Sequence, residues 1–319
     1  MSMLVALLAQ LLHIGLMLAV APLAVGLIRK VKARLLGRIG PPILQPWRDL
    51  ARLARKQPVL AENASWVFSG APAVTFAATL AAAALVPSFA LGMTAAPLAD
   101  LLVIAGLLGV ARCALGLAGM DVGTAFGGIG SSREMMFAVF AEPALLLVIF
   151  TLSLLAGSTN LDAVAGALHD GALGLRVSLG LSLIAMLAIA IAENGRIPVD
   201  NPATHLELTM VHEAMVLEYS GRHLALIEAA AMLKLLVWLG LIGTIFVPFA
   251  IAPAGAPTTA WGLGLLGWAA KMLALLLALA AFETSIAKMR VFRVPEFLGI
   301  AVLFALLAVV FLFVSQGFA

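Results

Sequence analysis

Apolar residues in this chain come in runs of about twenty, separated by polar segments, and not at the alternating spacing of half-buried strands. At about 1.5 Å per residue such a run crosses a hydrocarbon core about 30 Å thick. Lipid offers no water to bare backbone N–H and C=O groups, so each run is expected to be a helix. Eight spans follow, at residues 3–28, 71–91, 98–117, 135–155, 175–192, 224–249, 259–282 and 297–315. The expectation is an all-α polytopic membrane protein. One integral membrane domain covers 1–319, with a basic loop at 29–63 and an acidic loop at 193–223. No basic residue precedes the first run and Arg29-Lys30 follow it, which predicts a retained anchor and not a secretory leader.

Composition agrees: 63% hydrophobic and 11% charged residues lie outside the soluble globular range. Charge adds orientation. The first loop holds Arg29, Lys30, Lys32, Arg34, Arg38, Arg48, Arg52, Arg55 and Lys56. The third, fifth and seventh add Arg133, then Arg196 and Arg222, then Lys288, Arg290 and Arg293, while the alternate loops offer only Arg176. Lys and Arg stay on the cytoplasmic side of short loops, so both termini are expected on the outer (periplasmic) side. Topology alone explains the basic balance, and no nucleic-acid partner is expected. Cys113 is the single cysteine, which excludes an intrachain disulfide and Cys-ligated zinc or iron-sulfur sites. His13 is the one histidine within a span, so paired haem ligands are missing too.

The first loop has local order. Gly37 and Gly40 with Pro41-Pro42 predict a rigid turn, and Pro46 suits the first residue of a helix. Trp47, Leu50, Leu53 and Ala54 would share one face of that helix, Arg48, Arg52 and Arg55 another. It reads as an interfacial helix on anionic lipid or as a docking surface for a cytoplasmic partner. In the third loop, Gly127-Gly128-Ile129-Gly130 follows no strand and precedes no Gly-Lys-Ser/Thr, which argues against a nucleotide site. Ser131 or Ser132 is expected to cap the fourth span, with Glu134 in its first turn.

Charges inside spans cost several kcal/mol unless paired or hydrated. Arg112, Glu142, Lys234 and Lys271 lie in apolar runs, Glu142 directly before Pro143, and Glu228 stands near the start of the sixth span. They read as register-fixing ion pairs or, preferably, as a hydrated route for protons or other ions. In the fifth loop Glu193 ends a span and Asp200-Asn201-Pro202 looks like a helix start. A helix over 203–219, broken by Ser220-Gly221, would set Glu207 and Glu218 on nearly one face about 16 Å apart. His205 and His212 would share another face, two turns apart and too distant to ligate one metal ion together.

The run Glu193-Asn194-Gly195-Arg196-Ile197-Pro198-Val199-Asp200, followed by Glu207-Leu208 and Glu218-Tyr219-Ser220-Gly221, closely resembles the signature of the complex I subunit 1 family. Arg38-Ile39-Gly40-Pro41-Pro42 and Leu44-Gln45-Pro46 fall in the family's order, so the resemblance covers nearly the whole chain. Asp200 to Met210, with Ala203 and His205 where quinone-reducing members carry extra acids, and Phe126 to Glu134 are similar to the hydrogenase-4 and formate hydrogenlyase membrane anchors. The resemblance implies a subunit of a membrane-bound [NiFe]-hydrogenase in a bacterial or archaeal inner membrane. Soluble hydrogenase large and small iron-sulfur subunits would dock on the cytoplasmic loops, through Arg38, Arg48 and Arg52. Antiporter-like membrane subunits would lie alongside. The chain itself would hold no catalytic residue, metal or cofactor. Proton or sodium movement would run through Glu142, Glu193, Asp200, Glu207, Glu213 and Glu218, with Arg112, Arg196 and Lys234 tuning those acids. Competing readings are half of a quinone chamber in a complex I type enzyme, a stand-alone secondary transporter, which lacks the expected internal repeat, and an anchor with no ion path.

Overall fold

The computed structural model describes residues 3–169, 176–200 and 210–317. Its long elements are helices: α1 (Met3–Leu35), α2 (Gln45–Ala54), α3 (Trp66–Leu85), α4 (Leu101–Asp121), α5 (Ala125–Ala156), α6 (Leu161–His169), α7 (Val177–Glu193), α8 (His212–Val216), α9 (Gly221–Ile245), α10 (Thr259–Ser285) and α11 (Val294–Gly317). Among the described residues seven are long and apolar enough to cross a membrane, one fewer than expected, because α7, at 17 residues, is apolar but shorter. Only isolated bridges, such as Ala90 with Ala252, occur outside helices among the described residues.

The core is organised around α9, which packs against α1, α3, α7 and α10 and is buried nearly throughout from Met232 to Ile245. Trp238 lies at its middle, 1% exposed. α3 pairs with α4, α4 with α5, and α11 covers α5 and α7. The outward faces stay apolar, with Leu266 on α10 and Leu303 on α11 uncovered, as lipid demands.

Several boundaries move, each for a local reason. α1 runs on to Leu35 because Arg29 to Arg34 are good helix formers and nothing breaks the chain before Gly37, whose φ is +73°. The fourth span begins ten residues earlier than expected: Thr124, not Ser131 or Ser132, is the cap, its hydroxyl accepting from Gly127 N–H at 3.3 Å. The glycine cluster is helical because neighbours need its missing side chains. A Cβ on Gly130 would stand 2.9 Å from the Val211 carbonyl oxygen, and one on Gly119 of α4 would strike Ser131. The expected helix over 203–219 does not form over its described part. Only His212–Val216 is helical, and Leu217 to Ser220 turn into α9. Residues 201–209, with Glu207, Ala203 and His205, lie outside the described residues.

Side chains finish helix ends whose carbonyls lack intrahelical partners. At the end of α3, the His13 ring meets the Ala83 carbonyl (2.9 Å) and the Ser88 hydroxyl (2.8 Å), while Gln10 donates to the Ala84 carbonyl (2.8 Å). His13 is thus fully satisfied inside the bundle. At the opposite, basic end the chain stitches the first loop to α9. Val59 N–H donates to the Ser220 hydroxyl (2.8 Å), and Arg222 N–H donates to the Lys56 carbonyl (3.2 Å). Gly221 has φ +54°, and a Cβ there would sit 2.5 Å from the Gln57 carbonyl oxygen. Tyr219 stacks on Phe68 with ring centroids 4.0 Å apart and donates its hydroxyl to the Phe68 carbonyl (2.9 Å). Burial raises the Tyr219 phenol's pKa, and the Asp121 charge adds to the rise.

α2 lies back against α1 and α9, as its amphipathic pattern predicts. The Trp47 indole donates to the Ala19 carbonyl (3.2 Å), Leu50 and Leu53 are half-buried, and Arg48 and Arg52 are exposed. Ala54, expected on the buried face, is exposed, and Pro46 is the second helical residue, not the first.

Candidate functional site: a charged axis through the bundle

Four helices bring ionic side chains to one place inside the apolar bundle. Arg112 of α4, 6% exposed, forks between Glu142 of α5 and Glu193 at the last position of α7, one guanidinium nitrogen to each. The second oxygen of Glu193 takes the Lys234 ammonium of α9 at 2.9 Å. Glu193 is 8% exposed and Lys234 17%, so this trio is largely withdrawn from its surroundings, whereas 56% of the Glu142 side chain is uncovered. A buried carboxylate bound by two cations meets the condition under which charges survive in low dielectric, which is opposite charge in direct contact. Arg112 Nε remains buried without a partner among the described residues.

Small cavities flank this network. One, of about 80 Å³, is lined by Thr75, Glu134, Asn194 and His212 together with Arg112, Glu193 and Lys234, and is large enough for several waters. A second, of about 250 Å³, is lined by Gly106, Gly109 and Glu142 and shares Arg112 and Glu193 with the first. A third, of about 10 Å³, touches Glu134, Glu193, His212 and Asp200. Asp200 is buried and bonds the Lys288 ammonium at 2.8 Å. Asp200, Glu134 with His212, and Glu142 thus line three separate cavities that have Glu193 in common. Groups of this kind pass protons through bound water when their affinities are matched.

A second ionic cluster joins α1, α10 and the loop after α7. Glu283, its side chain 1% exposed, holds Lys32 at 2.6 Å and Arg196 at 3.5 Å. Burial lowers the Arg196 pKa, and the nearby charge of Arg29 adds to this while Glu283 opposes it.

Of the expected coupling residues, Arg112, Glu142, Glu193 and Lys234 meet directly, and Asp200, paired with Lys288, lines a small cavity together with Glu193. Arg196 belongs to the Glu283 cluster. Glu213 is half-buried on α8, and Glu218 is exposed in the turn after it, so the shared face proposed for Glu207 and Glu218 loses its helix. Lys271 donates to the Val247 carbonyl (3.1 Å), away from the axis. Arg38, Arg48 and Arg52 are exposed at the basic end, Arg52 beside Asp49 at 3.1 Å.

Sequence reasoning missed Glu283 and the second role of Glu134. Glu283 fell one residue beyond the expected end of the seventh span, and its only signal was a lone acid closing an apolar run opposite a basic loop. Glu134 was placed in a first helical turn, but α5 begins nine residues earlier and carries it inward to the first cavity.

A multi-pass helical bundle with a buried charged network and a basic end defines a polytopic membrane protein. Residues 7–315 match the family model described as NADH dehydrogenase, and the chain belongs to that family, the complex I subunit 1 family. It is 33% identical to formate hydrogenlyase subunit 4 of Escherichia coli (strain K12) over 294 residues, covering 92% of this chain and 94% of the relative. It is 34% identical to hydrogenase-4 component C of the same strain, over 73% of each chain. NADH-quinone oxidoreductase subunit 8 of Rhodothermus marinus is more distant, at 28% identity over 74% of this chain and 73% of that one. Among solved structures, a chain of the archaeal membrane-bound sulfane sulfur reductase shares the fold, with TM-score 0.76, 23% identity and coverage of 94% and 98%. The protein is a multi-pass protein of a prokaryotic membrane, with the fold of a respiratory-complex membrane subunit.

Proposed function

We propose that this chain is the membrane anchor and ion-coupling subunit of a membrane-bound [NiFe]-hydrogenase of the formate hydrogenlyase or hydrogenase-4 type. The relatives named above favour the hydrogenase branch over the quinone-reducing one. The observation that carries the coupling is the Arg112–Glu142–Glu193–Lys234 network with two cavities that share its central pair. With the basic end cytoplasmic, Arg38, Arg48 and Arg52 form the docking face for the soluble hydrogenase and iron-sulfur subunits. Antiporter-like membrane subunits take up ions beside Glu142, the one member of the network that is largely uncovered.

A change of redox state in the docked arm reaches the acidic loop first and alters the field at Asp200 and Glu134. Glu193 sits between two cations, so a proton or cation entering the first cavity competes with Lys234 and Arg112 for it. Release of either cation passes the charge toward Glu142. The test is Glu193→Gln and Glu142→Gln in the assembled complex, with hydrogen evolution and ion uptake measured in the same inverted vesicles. Loss of ion uptake at retained hydrogen evolution is expected. Unaltered ion uptake in both variants would overturn the coupling assignment.

A further inference from the structure

α7 and α10 stand apart on the surface of the bundle, and α9 forms the floor between them. The groove so formed holds about 270 Å³ and is walled by Leu187 and Ile191 of α7, Leu239 of α9, and Leu275, Ala278 and Phe282 of α10. Its polar groups, Asn194 and Arg196, lie in the loop after α7, at the basic end of the bundle. From Leu275 to Phe282 the groove follows two turns of α10, about 10 Å, which matches the upper half of an acyl chain and not a whole span. A second transmembrane helix, about 10 Å across, needs a far wider seat.

The cationic end is unbalanced. Arg196 and Lys32 share the single carboxylate of Glu283, and Arg29 adds its charge to Arg196. Two cations on one carboxylate leave an excess of one positive charge at this end of the groove, while Arg29 also acts on Glu228. Among the described residues the Arg196 guanidinium makes one hydrogen bond, the 3.5 Å contact to Glu283, out of five possible donors. An apolar channel ending at an under-used guanidinium, in an excess of positive charge, suits an amphiphile with an anionic head. A neutral headgroup would leave that charge uncompensated. We propose that the groove between α7 and α10 is a binding site for one anionic phospholipid, its phosphate on Arg196 and one acyl chain along Leu275 and Leu279.

Occupancy would have a structural effect. The phosphate would tie the loop after α7 to α10 through Arg196 and Glu283, and thereby hold the residue range between Glu193 and Asp200. The tail would close the open seam beside Trp238 without ordering a protein partner there.

The experiment is native mass spectrometry of the complex purified from membranes in mild detergent, exchanged against equal amounts of phosphatidylglycerol and phosphatidylcholine. The wild type is expected to retain one phosphatidylglycerol per copy of this chain and to discriminate against phosphatidylcholine. Ala278→Phe, which fills the groove and leaves the cations intact, should abolish retention. Arg196→Gln should weaken it by about fivefold, the worth of one basic residue at a headgroup. Leu277→Phe, on an exposed face of α10 turned away from the groove, controls for damage to the helix and should behave as wild type. Equal retention of both lipids, undiminished retention in Ala278→Phe, or recovery of a quinone or a cross-linked protein helix in the groove overturns the proposal.

Discussion

Glu193→Gln is the most informative stability perturbation, because it removes one charge from a site where three meet. In the native protein the Glu193 carboxylate faces Arg112, 6% exposed, and Lys234, 17% exposed and 2.9 Å away. Glutamine keeps the shape and one acceptor oxygen but takes the direct anionic partner from Lys234, leaving Glu142 on Arg112 and Glu134 across the first cavity as the remaining acids. Breaking a buried ion pair from one side costs about 3–5 kcal/mol, since the abandoned charge stays desolvated. For a chain of this size that is a fall of roughly 10 °C in unfolding midpoint. Lys234→Gln in the same protein removes the surplus cation and returns Arg112 to a one-to-one pair with Glu142. The double variant is therefore expected to be more stable than Glu193→Gln alone, with a coupling energy of about 1–3 kcal/mol. The assay is thermal aggregation of the detergent-solubilised complex, run as a full double-mutant cycle. An unchanged midpoint in Glu193→Gln, or a double variant no better than the worse single one, would refute the reasoning.

Other outcomes follow from the same contacts. Lys32→Met takes the 2.6 Å partner from buried Glu283 but leaves Arg196 as its counter-charge, and should cost about 1.5–3 kcal/mol, less than Glu193→Gln, as read by the same midpoint. Gly221→Ala places a methyl group against the Gln57 carbonyl at a left-handed φ and should cost about 1–3 kcal/mol, showing first as faster proteolysis after Lys56. Tyr219 is the chain's single tyrosine, so the near-ultraviolet tyrosinate band reports it alone. Its folded pKa is raised, so its contribution to stability is intact below the ordinary value of 10.0 and is lost as pH climbs through the folded value; the band should appear together with unfolding and not before it. Tyr219→Phe keeps the stacking on Phe68 and should cost about 1 kcal/mol for the lost hydrogen bond, measured by denaturation.

The order of the long apolar helices was legible because each apolar run answers to one dominant requirement, backbone satisfaction in lipid, whereas α6 was not expected. The buried acids and bases of the axis were legible for the converse reason: Arg112, Glu142 and Lys234 stand out against apolar neighbours whatever their partners. Who pairs with whom was not. The Arg112–Glu193 contact spans 81 positions and depends on the angle at which α4 and α7 cross, which no local pattern encodes. The glycine cluster at 127–130 misled for a related reason. Intrinsic propensity disfavours helix there by about 1 kcal/mol per glycine, and only the close approach of Val211 and Ala214 makes the helix worthwhile. Glu283 escaped because a boundary drawn one residue short moved it out of the membrane and out of suspicion.

The stitch between Val59 and Ser220 has a consequence for the order of events during synthesis. The two residues are 161 positions apart, so the first loop is made long before the segment that holds its far end. Until α9 has left the ribosome and entered the bilayer, Lys56 to Val59 lack the Ser220 and Arg222 contacts that fix them. The segment Lys56 to Val59 gains its final contacts only once roughly three-quarters of the protein has been made, at the end of α9. On the docking proposed above, a soluble partner would meet the finished basic face after that point, and insertion would precede recruitment.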